Sequence, residues 1–216
     1  MQHTVLRLPF EGAWLTFWGG DNPEQNIHHA TYLQKYAFDF IQVDENGKFF
    51  RTDGKTNDDY YSFGQSILAP GDGEVIEAID GMRDNLPGTS NHYMAMGNFV
   101  LIKHADHEYS LLAHLKQGSV CVKAGQQIKS GEKIGECGNS GNSSDPHLHF
   151  HLQDSDVISK FDENYKQVDV ASGLKVSFSN IEIIKGKDKE IKDPYSPVKG
   201  DIVLPLTRED SQQGQA

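Results

Sequence analysis

A chain of 216 residues is long enough for one sizeable domain with a proper core and short for two. Its 20 basic and 31 acidic side chains leave a formal charge of −11. No basic stripe is present to displace the counterions of a phosphate backbone, which argues against a nucleic-acid partner and against strong adhesion to an anionic cell wall. A peptide ligand stays open, because the local charge of a cleft can differ from the global sum.

Met1 to Gly20 carries Pro9, Glu11 and Gly12 inside its apolar stretch, which breaks the run that a signal peptide or a membrane span needs. Either the chain is not exported by that route or a leader is missing, so its compartment stays open. Asn26-Ile-His28-His29 follows, then Tyr36-Ala-Phe-Asp39-Phe, a single carboxylate in a strand-like apolar segment. Beyond it, long helical periodicity is scarce and short alternating runs recur between Gly-rich turns. Predicted strands are Ile67–Leu68, Glu74–Ile79, Phe99–Lys103, Tyr109–Leu115, Lys133–Cys137 and His147–Gln153. The chain reads as mainly β, an antiparallel sheet or sandwich of hairpins with few or no long helices and an open groove for a metal site. Pro70-Gly-Asp-Gly73, Ala124-Gly125 and Ser130-Gly131 are turn signals.

Residues 80–98 lack periodicity and read as a long loop with His92 and Tyr93 facing solvent. His104-Ala-Asp-His107 falls at a hairpin turn and reads as solvated. Cys121 and Cys137 flank a Gly-rich hairpin over residues 122–135, either facing each other across paired strands or as two free buried thiols. Gly138-Asn-Ser-Gly141-Asn-Ser-Ser lacks the Lys-Ser/Thr ending and following helix of a phosphate cradle. Leu174–Ser179 alternates again and is placed to form an accessory hairpin over one end of the cleft. The expected organisation is one domain over residues 1–204, with its core at 25–153 and accessory strands at 154–204; residues 205–216 have no apolar anchor and are expected to fray.

Asp145-Pro-His-Leu-His-Phe-His151 is the most informative segment. On a strand it sets His147, His149 and His151 on one face, with Leu148, Phe150 and Leu152 on the other. Such a cluster points to a metal, and the same alternation fits a half-buried strand against a core. His114, inside Leu111–Leu115, would be costly to bury unpaired, and a bond to a neighbour is its ordinary fate. Asp39 adds an anionic ligand. Catalytic zinc takes about three protein ligands plus water, so His, Asp and His from separate strands would make an open site.

In that order along the chain, His28, Asp39, Ala113-His114-Leu115 and Pro146-His147-Leu-His149-Phe resemble the lysostaphin/LytM-type zinc metallopeptidases. Ser66–Ile76 looks like that family's early core hairpin, and Val122–Gly135 followed by Gly138-Asn-Ser-Gly141 looks like its late one, so the resemblance covers residues 25–153. The family more often places its first His four residues before the Asp, where this chain has Lys35. Asn26-Ile-His28 followed by Gln34–Asp39 resembles a longer-spaced version, which favours His28 over His29. The resemblance implies Zn2+ held by His28, Asp39 and His149 with a water in the fourth position. It gives His114 and His147 the proton work, since no His-Glu-x-x-His segment supplies a Glu base.

His151, about 13 Å along the strand from His147, reads as a group behind the ligands or a surface residue. Asn142 is a candidate orienting residue, and Tyr60, Tyr61 and Tyr93 are candidates for a catalytic tyrosine. The implied function is a zinc metallo-endopeptidase that hydrolyses peptide bonds in peptidoglycan cross-links or bridges, as a monomer, in the periplasm or outside the cell. The alternative is a non-catalytic binding or activator protein on the same fold that regulates wall hydrolases. A biotin- or lipoyl-carrier-like sandwich is a third reading, without the Met-Lys pair it needs.

Overall fold

The computed structural model describes residues 2–206 apart from 158, 162, 164–166, 170 and 187. Alternating side chains and glycine turns produce strands almost throughout: β1 (Trp14–Trp18), β2 (Phe38–Ile41), β3 (Ser66–Leu68), β4 (Gly73–Ile79) and β5 (Asn98–Ala105). β6 (Glu108–Leu115), β7 (Gln127–Ile128), β8 (Lys133–Glu136) and β9 (Leu148–Gln153) follow. After them come β10 (Ser159–Phe161), β11 (Gln167–Asp169), β12 (Gly173–Leu174), β13 (Ile181–Lys185), β14 (Asp188–Lys192) and β15 (Ile202–Pro205). Helical structure among the described residues is limited to 3-10 turns at Ile27–Ala30, Asn57–Asp59 and His92–Met94. None of these helices is long and apolar enough to cross a membrane.

One large antiparallel sheet runs β14-β13-β15-β1-β2-β9-β6-β5-β4-β7, with β12 also on β9. Its centre is β2-β9-β6, and every residue of β9 is buried. One face carries Phe38, Phe40, Val100, Ile102, Leu112, Leu148, Phe150 and Leu152 into the main core. Burying an aromatic or branched aliphatic side chain there contributes roughly 1.5–3 kcal/mol. The opposite face holds a smaller cluster of Phe99, Leu101, Leu111 and Ala113. The charged strand Asp188-Lys-Glu-Ile-Lys192 forms one edge, where charge discourages pairing with another chain.

The main core also takes Leu6, Leu8, Phe10 and Trp14, each fully buried, with Phe10 and Trp14 stacked at 4.7 Å between ring centroids. β1, which was not among the predicted strands, pairs with both β2 and β15 and ties the two ends of the chain to the sheet centre. Segments 66–76 and 122–135 are not separate hairpins. β3 pairs with β8 in a small second sheet, while β4 pairs with β7 in the large one. At the start of β4 the chain passes so close to β5 that a Cβ on Gly73 would lie 2.3 Å from the Lys103 carbonyl oxygen, so only glycine fits.

The accessory hairpin expected at Leu174–Ser179 is instead β13–β14, joined through β15 and β1 at the far side of the sheet; Leu174 sits in the two-residue β12, and Val176 and Phe178 enter the core. Both cysteines are free, Cys137 buried and Cys121 exposed, a third outcome beside the two expected. The fraying expected of residues 205–216 falls, from 207 onward, outside the described residues.

Candidate metal centre and its groove

Cross-strand register assembles the site. Asp39 of β2 lies opposite His149 of β9, which lies opposite Ala113 of β6. Because alternate residues face opposite ways, sending Phe38, Phe40, Leu148 and Phe150 into the core brings Asp39 and His149 together on the other face. His149 Nδ1 stands 2.9 Å from Asp39 Oδ1. His28 comes from the turn Ile27–Ala30, and its Nε2 lies 2.9 Å from Asp39 Oδ2.

Asn26 holds that turn: its side-chain oxygen accepts from the His28 N–H at 3.0 Å, and its amide donates to the carbonyls of Gly20, Lys35 and Ala37. The three ligand atoms offered by His28, Asp39 and His149 all lie within 4.8 Å of one another. His29 is not in this group, and Lys35 gives only its carbonyl, to Asn26.

His114 and His147 complete the cluster, with ring centroids 4.8 Å apart. His114 Nδ1 sits 2.8 Å from the Ser140 carbonyl, which can only accept, so Nδ1 carries the proton and Nε2 is bare. His147 Nδ1 likewise donates to the Asp145 carbonyl, at 2.8 Å, and its Nε2 lies 3.7 Å from Asp39 Oδ1. His114 takes a left-handed φ of 63°, a strained conformation for a residue with a side chain, held by N–H donation to Met96 O and by Ser140. Ser140 is fixed in turn, its hydroxyl accepting from Asn98 N–H and donating to Leu115 O.

Burial by itself would raise the Asp39 pKa, yet the nearby His147 and His28, and the ring nitrogens of His149 and His28 at its two oxygens, hold it well below the carboxylate range. Burial works against a charged His28, but Asp39 outweighs it and lifts that pKa. For His149, with 5% of its side chain exposed against 18% for His28, burial prevails over Asp39 and the pKa is lowered. Burial, reinforced by His147 and His149, drives His114 far below its ordinary value, so that ring is neutral.

A groove passes over the cluster. One arm, of about 330 Å³, is lined by Phe17, Trp18, Ile41, Phe49, Tyr60 and Pro146. The other, of about 290 Å³, runs past Thr31, Gln34, Ala95, Met96 and Leu111. Ile27, His28, His114 and Asn142 line both, and among the described residues no Lys or Arg lines either. Of the three candidate tyrosines Tyr60 alone lines the groove, its hydroxyl donating to Asp145 at 2.6 Å, while Tyr93 is fully exposed beside an exposed His92. His151 is buried beside His149. His107 is exposed at its hairpin turn, but His104 is half-buried, bonded to Asp72 O and Ser110 Oγ, because the turn folds it against the Pro70–Gly73 corner.

Two imidazoles and a carboxylate, converging with room for a further ligand from the groove, are the donor set and openness of a catalytic zinc site. Sequence reasoning missed Asn26, Ser140 and the walls Phe17, Trp18 and Phe49. Only Asn26 carried a local signal, an N-cap residue two positions before His28.

Residues 58–169, just over half of the chain, match the sequence profile of peptidase family M23. That span contains His114, His147 and His149, with His28 and Asp39 upstream of it. The chain is 37% identical over 100 residues to the cell division protein DipM of Caulobacter vibrioides, covering 46% of this chain and 15% of that protein. It is 35% identical over 89 residues to the peptidoglycan DD-endopeptidase ShyA of Vibrio cholerae, covering 41% and 17% respectively. It is 35% identical over 92 residues to the murein hydrolase activator NlpD of Escherichia coli, covering 43% and 21%. The matched region is thus less than a quarter of the length of each of these relatives.

Proposed function

The chain belongs to peptidase family M23, and from that membership we propose that it is a zinc-dependent endopeptidase that hydrolyses peptide bonds of peptidoglycan, in cross-links or bridges. The observation that carries this reading is the convergence of His28, Asp39 and His149 within 4.8 Å, beside the further imidazoles of His114 and His147. Zinc held by those three residues would supply Lewis acidity toward a water and a scissile carbonyl. His114, kept neutral by burial, suits acceptance of the water's proton; His147, 3.7 Å from the Asp39 carboxylate, suits donation to the departing amine. The groove's two arms accommodate chain on both sides of the cut, and among the described residues no Lys or Arg lines them to grip a terminal carboxylate, which favours internal cleavage.

The likeness to a protein described as a peptidoglycan DD-endopeptidase supports the substrate class. With that substrate the protein would work in the periplasm or outside the cell, and its negative charge of −11 is compatible with a monomer. The equal likeness to a protein described as a murein hydrolase activator supports a second reading, an activator without turnover of its own. Competent residues at all five positions favour the enzyme. The test is elemental analysis together with cleavage of peptidoglycan peptides, on wild type and Asp39→Ala. About one zinc per chain, lost with turnover in the variant, is expected. A wild type that takes no zinc when it is offered, and cuts nothing, would favour the activator.

A further inference from the structure

Behind the candidate ligands, on the same face of β9, three side chains form a buried hydrogen-bonded row: His149 Nε2 to His151 Nδ1 at 3.0 Å, His151 Nε2 to Gln153 Oε1 at 2.8 Å, and Gln153 Nε2 to the Ser155 carbonyl at 2.6 Å. His149, His151 and Gln153 are 4%, 2% and 0% exposed. The polarity of the row is fixed from its far end. A backbone carbonyl only accepts, so the Gln153 amide nitrogen must face Ser155, which turns Gln153 Oε1 toward His151. His151 Nε2 must therefore carry its proton, and a neutral His151 then presents a bare Nδ1. That Nδ1 accepts from His149, whose Nε2 must be the protonated nitrogen. His149 Nδ1 is left facing the Asp39 carboxylate, a place for a proton or a metal cation.

We propose that His151 and Gln153 are positioning residues that lock His149 with its proton on Nε2, so that Nδ1 is the only nitrogen it can offer a metal. The metal half of this inference rests on the zinc reading above; the tautomer half rests on the row alone. Groups that hold the far nitrogen of a metal-binding imidazole typically change metal affinity 10–100-fold when removed.

The test is long-range proton–nitrogen NMR on the full chain, metal-free and zinc-loaded, with zinc titration of variants. Wild-type His149 is expected to carry its proton on Nε2 in both states. His151→Leu is expected to bind zinc about 10–100-fold more weakly, and His151→Asn, which restores an acceptor near the place of Nδ1, to recover most of that loss. Gln153→Met, which removes the next acceptor along, is expected to populate the other tautomer of His151 and serves if His151→Leu does not fold. His149 protonated on Nδ1 in metal-free wild type, or His151→Leu with undiminished affinity, would overturn the proposal. If wild type takes no zinc, the metal reading fails, and the tautomer in metal-free protein still decides the row.

Discussion

Asp39 is asked to serve three imidazoles at once, with His28 and His149 at 2.9 Å and His147 at 3.7 Å. Its low pKa keeps it anionic throughout the neutral range, so the site always presents a negative charge to a cation. His114 touches none of these ligand atoms through its bare nitrogen, which separates proton transfer from metal retention. For His114→Ala the zinc content should stay that of wild type while kcat falls about 10²–10⁴-fold. Elemental analysis beside steady-state kinetics checks this, and a metal-free variant would sink the division of roles.

His104 makes a different prediction, about stability. Burial pulls its pKa below 6.5, against the pull of Asp72 O and the nearby carboxylates. As pH falls through 6.5 the unfolded chain takes up this proton before the folded one does, so the contribution is complete above that value and is lost toward the lower folded pKa. Calorimetry of His104→Leu should show a flatter decline of Tm below 6.5 than wild type; parallel profiles would refute the assignment.

At the scale of elements, one close crossing supports His114, the candidate proton acceptor. Gly97, at φ 63°, would bring a Cβ within 2.4 Å of Ser140 Oγ, and Gly141, at φ 77°, within 2.3 Å of the Gly97 nitrogen. Gly97→Ala should cost more than about 1 kcal/mol from φ alone, with a further loss from overlap. It should also lower turnover, because Ser140 orients His114. Gly88→Ala, with positive φ and nothing within 4 Å, isolates the backbone term. Equal Tm losses in the two variants would refute the crowding.

The same scale explains what the sequence revealed. β9, β6 and β5 were legible because period-two alternation is a local property, and the face shared by His149 and His151 followed from it. Asn26 marked the turn locally, but the choice of His28 as a ligand was not derivable there, since the turn is held through Gly20, Lys35 and Ala37; only the resemblance selected that residue. The exchange of partners among β3, β4, β7 and β8 was hidden for a related reason: pairing over more than 50 residues leaves no periodic trace. β1 was hidden because it is short and flanked by turns, and its partner β15 lies near the other end.

For the whole molecule, the candidate ligands Asp39 and His149 are 110 positions apart and adjacent only once β2 and β9 have paired. An unfolded chain cannot hold a metal through them, so ligation would favour the folded state by mass action. Free zinc at about 100 times its Kd should add about 2.7 kcal/mol, seen as a raised Tm that a chelator reverses and that Asp39→Ala lacks. A Tm indifferent to zinc in wild type would contradict the site.

The unequal cysteines offer a clock. Cys121 is open to solvent, whereas Cys137 is fully buried, its thiol pushed up by burial, and bridges Leu115 directly after His114. A thiol-directed tag should therefore mark Cys121 at once in native protein and Cys137 only in molecules whose bridge between Leu115 and Cys137 has parted. The slow tag would count how often the strand bearing His114 lets go.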